Sequence, residues 1–470
     1  MKKMGGLFGV VTQDSCVQAL FYGTDYHSHL GTEHGGMAVF GAKGFYNTIH
    51  GISQAQFKSR FVDDYKKMEG HSGIGAIDDE SPQPLIFRSK FGIYAVVAAG
   101  LITNKNALVG ELLNEGASFT EMAGGGVNNA EIVASLINRG DNIVEGIASM
   151  RGIIEGSICV LVLTPEGIYA ARDKVGRFPL ALGQSKDVNR KSYVVATEAS
   201  SFENLGYELH RFVGPGEIVL LSTDGVKQLK PEGSQKKICS FLWIYTGAPS
   251  SIYDSISVER TRERCGSYLA KRDNIEADFV AGVPDSGVGH AIGYAMESGI
   301  PYRRPLVKYT PGYGRSYTPP TQEIRDLVAT MKLSAVREVI NGNRMIICDD
   351  SIVRGTQLKN LTVKKLWDNG AKEIHIRPAC PPLMFPCIYA SSTRTTAELA
   401  CRKAMRALEG KDIEDPSGYL DTTSSKHANM IDWIRRDLNV TSLKYMTIED
   451  MIAAIGLPKD QLCLHCWLGK

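Results

Sequence analysis

The chain has 470 residues, a formal net charge of +2 and 43% hydrophobic residues, which is long for one domain and predicts two, each with its own core. So balanced a charge offers no global hold on nucleic acid or an anionic membrane, and no apolar run approaches the ~20 residues of a membrane span. The start Met-Lys-Lys-Met-Gly-Gly lacks the apolar core of a signal peptide, so a cytoplasmic protein is expected.

From residue 5 to about 230 the pattern predicts short strands at 6–11, 92–98, 157–163, 193–197 and 217–221, interrupted by helices near 103–114 and 129–138. This is an α+β half with stacked sheets. The polar stretch 230–237, with Pro231 and Gly233, reads as a linker, so domains of 1–232 and 233–470 are expected. Beyond it helices (256–270, 288–298, 356–369) alternate with strands (278–283, 303–308, 344–348, 373–378), which predicts an α/β domain with a mostly parallel sheet.

The most specific chemistry lies at 345–356, Met-Ile-Ile-Cys-Asp-Asp-Ser-Ile-Val-Arg-Gly-Thr. A buried strand delivers Asp349 and Asp350, and then Ser351, Arg354, Gly355 and Thr356 open into a helix. A helix N-terminus offers unpaired N–H groups and a positive dipole end to a phosphate. The carboxylates suit ribose hydroxyls and a Mg²⁺ shared with phosphate oxygens. The same pattern also fits a well-capped strand-to-helix junction. A second such loop, Pro284-Asp285-Ser286-Gly287, follows the strand at 278–283 and could turn its N–H groups toward a pyrophosphate. Paired loops at the carboxyl ends of neighbouring strands are where an open α/β sheet binds its ligand.

These segments resemble the donor loops of type I phosphoribosyltransferases, and Val-Arg-Gly-Thr after the acidic pair is similar to the amidophosphoribosyltransferase family. Further likeness lies in Lys332-Leu-Ser-Ala-Val336 and Pro386-Cys-Ile-Tyr389, and in the first half in Gly6-Leu-Phe-Gly-Val10, Arg172-Asp-Lys-Val-Gly176 and Pro215-Gly-Glu-Ile218. The resemblance implies an N-terminal Ntn-hydrolase-like αββα domain of class II glutaminase type, followed by a type I phosphoribosyltransferase domain. It implies phosphoribosyl pyrophosphate as substrate, with Asp285, Ser286, Gly287, Lys308, Ser351, Arg354, Gly355 and Thr356 binding it. Ser286, Asp349 and Asp350 would hold Mg²⁺. Arg315 would act with the acidic pair from a lid at 309–322. That lid is one residue longer than the family pattern and lacks its first arginine.

Against the same family the glutaminase machinery is missing. The nucleophilic cysteine corresponds to Gly5, the carboxylate-binding arginine to Asp78, the oxyanion-hole segment to Ala99 and Gly100, and the aspartate that recognises the amino group to Asn129. A pseudo-glutaminase is expected, because loss of a nucleophile alone costs ~10⁶ in rate where it has been measured. Nitrogen would then come from free ammonia or an ammonia-supplying protein. The resemblance also implies nucleotide feedback inhibitors and a homo-oligomer. A non-catalytic sensor of the donor, or a regulatory partner of an intact homologue, is the competing reading.

Ten cysteines in a chain this long do not make a disulfide scaffold. Cys463-Leu-His-Cys466 is by itself compatible with zinc, a redox pair or neither. In iron–sulfur members of the family, ligands match these two together with Cys239 and Cys387, which implies a [4Fe–4S] cluster. Cys16, Cys159, Cys265, Cys348, Cys380 and Cys401 lie in apolar or helical runs and are expected in the core.

Overall fold

Side-chain alternation along strand Gly6–Thr12 sets the architecture of the N-terminal half. Phe8 and Val10 pack with Leu20 and Phe21 of helix Val17–Asp25 and with Phe57 and Phe61 of helix Phe57–Tyr65. The intervening Gly9 points the other way, within 3.3 Å of where Ile168 and Leu161 of a second sheet meet it. The computed structural model describes residues 5–122, 126–308, 331, 333–389 and 395–469. It divides into two units, the first comprising Met1–Cys239, Ile252–Asp254 and Ile388–Ser392, and the second the remainder.

In the first unit a seven-stranded sheet runs in the order Tyr207–Phe212, Ala181–Ser185, Ser192–Ala196, Gly6–Thr12, Ser72–Asp78, His34–Gly41, Gly44–Gly51. A six-stranded sheet orders Gly225–Lys230, Ile218–Ser222, Gly167–Ala171, Gly156–Thr164, Gly92–Ile102, Leu85–Ser89. The strand pairs are antiparallel, and both faces of each sheet are covered. Helices Lys105–Asn114, Asn129–Ile137 and Ile143–Ile153 bury Leu108, Val133 and Ile147 against the outer face of the six-stranded sheet. The result is helix, sheet, sheet, helix in four layers.

Two of the first-half motifs hold this fold together. Arg172, fully buried, donates to the carbonyls of Phe178, Val213 and Gly176 and to Asp254 Oδ2 at 3.0 Å. Glu217 accepts from Arg211, Gln228 and the Gly214 N–H. Both are buried charges made tolerable by a full set of hydrogen bonds.

The second unit is built on four parallel strands, Phe279–Gly282, Arg344–Asp349, Glu373–Pro378 and Ser442–Leu443, in that spatial order. Helices Val258–Lys271 and Val288–Ser298 pack on one another and toward this sheet, and helices Ala400–Glu409 and Ser425–Leu438 bury Cys401, Met405, Met430 and Ile434 in its core. The segment expected as a strand at 303–308 does not extend the sheet. It keeps one parallel bridge, Tyr302 to Val280, and then Leu306–Lys308 turns into an antiparallel pair with Leu333–Ala335. Arg303, Arg304 and Pro305 explain this: two charged side chains would have to be buried, and a proline has no N–H for the ladder. The helix predicted at 356–369 runs over 356–368, with a π-helical middle at Leu358–Val363. No helix of the described residues is long and apolar enough to cross a membrane.

One ion pair locks the second unit internally. Arg377 (1% exposed) meets Asp273 (3% exposed) at 2.5 and 3.2 Å, and Tyr294 donates to the same carboxylate. Removing one charge leaves the other buried and uncompensated. Arg377→Met is expected to destabilise the unit by about 3–5 kcal/mol, read as a lower denaturant midpoint, and the double variant Arg377→Met, Asp273→Leu should recover part of that loss.

Candidate functional site

The two loops singled out in the sequence meet at the carboxyl ends of adjacent parallel strands. The Val283 N–H donates to the Cys348 carbonyl at 2.9 Å, and the Gly287 N–H returns to Val283 O at 2.8 Å. A Cβ on Gly287 would lie 2.3 Å from Cys348 O and 2.7 Å from Val283 N, so only glycine lets the loop close on the strand end. Helix Val288–Ser298 starts directly from that turn.

Asp349 and Asp350 are 8% and 7% exposed. The Asp350 N–H donates to Asp349 Oδ1 at 3.0 Å, and Ser351 Oγ donates to Asp350 Oδ1 at 2.6 Å. The Ser286 hydroxyl, from the other loop, acts on the Asp350 carboxyl in the direction that favours ionisation. Burial is the largest influence on both acids and raises their pKa values; for Asp349 the second is repulsion from Asp350. Two carboxylates held this close, out of water, cannot both ionise at ordinary cost, which is an electrostatic demand for a cation.

The remaining described donor-site candidates lie on the same two loops and on strand Leu306–Lys308. Gly355 takes φ +76° and lets the chain turn into the helix beginning at Thr356. Arg354 is half-exposed and pairs with Glu398 at 2.5 Å. Lys308 pairs with Asp285 at 2.8 Å, an exposed contact of little stabilising value that an incoming anion can exchange. Arg315 and the rest of the 309–322 segment lie outside the described residues.

Two further residues escape sequence reasoning. Arg262, buried in helix Val258–Lys271, donates to the carbonyls of Trp243, Tyr245 and Gly247, and its charge acts on Asp350 in the direction that favours ionisation. The phenol of Tyr245 is pushed up first by burial and then by the charges of Asp350 and Asp349. Neither position has a sequence signal. A charge on an amphipathic helix and an aromatic in an apolar run are ordinary features until the fold brings them to the strand ends.

No disulfide forms among the described residues, and Cys16, Cys159, Cys265, Cys348, Cys380 and Cys401 are buried as expected. Cys239 closes the first unit, while Cys387, Cys463 and Cys466 belong to the second. There, the N–H groups of Met384 and Phe385 both donate to the Cys466 carbonyl, at 3.0 and 3.1 Å, which ties the segment entering Cys387 to the C-terminal tail. Among the described residues no group of three or more His, Cys, Asp or Glu side chains converges as a metal site.

In the first unit, Asp78 ends strand Ser72–Asp78 with its carboxylate buried. Oδ1 accepts from the N–H groups of Glu80 and Ser81, and Oδ2 from Gln83 Nε2 at 2.7 Å. The Gln83 carboxamide is itself clamped to the Ala98 backbone, donating to its carbonyl at 2.7 Å and accepting its N–H at 2.8 Å. Gly5 sits alongside with φ +78°, and a Cβ there would lie 3.1 Å from Ile77 O and 3.4 Å from the Ala99 Cβ. Gly100 continues the strand carrying Ala99, and Asn129 accepts from Lys105 Nζ at 2.9 Å. The structure thus gathers Gly5, Asp78 and Ala99, with no thiol or guanidinium among them.

A model of the glutamine amidotransferase domain matches residues 74–204. The amidophosphoribosyltransferase of Bacillus subtilis is 31% identical over 480 residues, covering 99% of this chain and 93% of that protein. That of Archaeoglobus fulgidus is 31% identical over 461 residues, covering 95% and 93%. Among solved structures, the Bacillus subtilis glutamine phosphoribosylpyrophosphate amidotransferase complexed with ADP and GMP superimposes with a TM-score of 0.83 at 31% identity, covering 99% of this chain and 96% of that one. A structure of the allosteric regulatory enzyme of purine biosynthesis gives 0.84 at 30% identity, covering 99% and 95%.

Asp78 makes the first unit sensitive to pH. Burial, aided by Glu80 and Asp79, pushes its carboxyl up from 3.8 to about 7 against the pull of the N–H donors. Between those values the folded chain keeps a proton that the unfolded chain has lost. Its contribution to stability is therefore full below pH 4 and declines as pH rises toward 7, by roughly 4 kcal/mol at 1.36 kcal/mol per unit. Asp78→Asn should flatten that slope in denaturant titrations between pH 4.5 and 7.5, whatever pH-independent offset its amide introduces against Gln83.

Proposed function

The chain belongs to the amidophosphoribosyltransferase family, and on that footing we propose that its second unit transfers phosphoribosyl from phosphoribosyl pyrophosphate to ammonia. The observation that carries this reading is the buried pair Asp349 and Asp350 between two loops at adjoining strand ends, one of which opens into a helix N-terminus. In the reaction the bond from the anomeric carbon to pyrophosphate breaks, a bond to nitrogen forms, and the nitrogen releases a proton. Asp349 and Asp350 would orient the ribose hydroxyls and stabilise positive charge developing on the ring. The N–H groups near Thr356 would hold the 5′-phosphate, and the 284–287 loop with Lys308 the pyrophosphate. Arg315 would complete the site from the lid.

The donor set fits Mg²⁺, because that ion is ordinarily held by one or two carboxylates plus substrate phosphates rather than by an all-protein cage. When bound it would neutralise phosphate charge. The Ser286 hydroxyl, shared with Asp350, is the neutral member of the proposed set. For Cys239, Cys387, Cys463 and Cys466 a [4Fe–4S] cluster is the better reading than zinc. A single zinc needs thiolates converging at ~2.3 Å from one point, whereas a cubane spreads its ligands over four irons. Such a cluster would be structural, contributing its binding energy to folding. Feedback by purine nucleotides fits the relative complexed with ADP and GMP, and a homo-oligomer is the proposed assembly.

We further propose that the first unit is a pseudo-glutaminase retained for folding or assembly. Its fold is that of a glutamine amidotransferase domain, but Gly5 has no nucleophile and Asp78 supplies no positive charge for the substrate carboxylate that an arginine would bind. Purified protein is expected to release pyrophosphate from the donor with ammonium, to form no glutamate from glutamine above background, and to lose transfer roughly 10²-fold or more in Asp350→Asn. Donor binding without pyrophosphate release would identify a sensor instead. A glutaminase rate that survives repurification would end the pseudo-glutaminase reading. For the cluster, anaerobically prepared protein should contain about four irons per chain, and Cys463→Ser should lower iron content and melting temperature together.

A further inference from the structure

The C-terminal tail reaches the donor site through one side chain. Trp467 is 2% exposed, its indole N–H donates to the Pro381 carbonyl at 3.0 Å, and its ring stacks on Phe241 with centroids 5.0 Å apart and planes 10° from parallel. Pro381 lies within a buried run, residues 374–384. Pro378 pairs with Asp349 across the parallel sheet, the Ala379 N–H donates to the Asp349 carbonyl at 2.8 Å, and Cys380 is buried next in line. The Cys380 thiol is pushed well up by burial and then by the charge of Asp350. Phe241 leads into the segment whose carbonyls at 243, 245 and 247 hold Arg262, the buried charge acting on Asp350.

We propose that Trp467 is a positioning residue for the donor site: by fixing residues 379–381 and the ring of Phe241 it sets the seat of Asp349 and Asp350. The kinetic part of this inference rests on the phosphoribosyltransferase reading; the structural part does not. Trp467 touches no reacting group. Its influence runs through a hydrogen-bonded backbone, so loss of the indole N–H orphans the buried Pro381 carbonyl and loosens the run whose Ala379 N–H holds the Asp349 carbonyl.

The test compares wild type with Trp467→Phe, which keeps an aromatic ring against Phe241 and removes the N–H, and with Trp467→Ala, which removes both. Amide hydrogen exchange at 348–356 and 378–383 is expected to accelerate about tenfold in Trp467→Phe, the size one orphaned buried carbonyl produces, while helix Ser425–Leu438 exchanges as in wild type. In the ammonium-dependent assay the half-saturating Mg²⁺ and donor concentrations should rise by a similar factor with the ammonium dependence unchanged. A merely structural role would speed exchange uniformly and lower the melting temperature without moving those constants. Wild-type exchange at 348–356 in a folded Trp467→Phe would overturn the proposal. If wild type shows no saturable donor binding while the exchange effect appears, the transfer reading falls and the positioning role stands.

Discussion

Two carboxylates side by side at a buried strand end are the constraint around which the second unit is organised. Desolvation and mutual repulsion oppose ionisation of Asp349 and Asp350, and the surroundings offset this only in part. The Ser351 hydroxyl donates to Asp350, and Ser286 and the charge of Arg262 favour its ionisation. Arg262 is committed to three backbone carbonyls, which fix its charge in place. A buried acidic pair of this kind is suited to a ligand that brings a divalent cation with it, since the cation reverses the local preference for protonation. The mutual repulsion of the carboxylates and their suitability for a cation share one electrostatic origin.

The first unit presents the opposite case, a fold whose packing is intact around a site with different chemistry. Arg172 and Glu217 carry two of the motifs by which the half resembles its family, and both are absorbed in hydrogen bonds that close loops onto the sheets. Their role is to satisfy buried backbone, and that need persists whatever happens at the strand ends. Asp78 is tolerated in a buried position because two backbone N–H groups and the Gln83 carboxamide converge on it. The Gln83 side chain bridges that carboxylate and the Ala98 backbone, so the space is internally cross-linked.

The tail adds a physical link that distance along the chain conceals. Residues 463–467 follow the last helix of the core by only a short turn, yet the Cys466 carbonyl caps the N–H groups of Met384 and Phe385, and Arg402 holds the Met384 carbonyl. The segment from 378 to 387 is therefore fastened at one end to Asp349 and at the other to the tail. A thiol-rich terminus docked this way is coupled mechanically to the strand that presents the acidic pair.

Periodicity and local chemistry determined much of this protein before any coordinates. Alternation marked strands at 6–11, 92–98 and 157–163, helix and strand in turn marked the parallel sheet, and Asp349-Asp350 with Gly355-Thr356 marked the candidate donor loop, because each depends on neighbours within a few residues. Other elements carried weaker local signals: the hairpin His34–Gly41 with Gly44–Gly51 is rich in glycine, and the helix Phe57–Tyr65 is short and mostly polar. What only tertiary structure decided was whatever depends on long-range approach. Leu306–Lys308 leaves the parallel sheet because buried strands cannot accept Arg303, Arg304 and Pro305, Arg262 and Tyr245 acquire meaning from the strand ends they meet, and Trp467 finds Pro381 across 86 positions. Spacing along a sequence encodes which face of an element is apolar; it does not encode which distant backbone carbonyl will need a donor once those faces have closed.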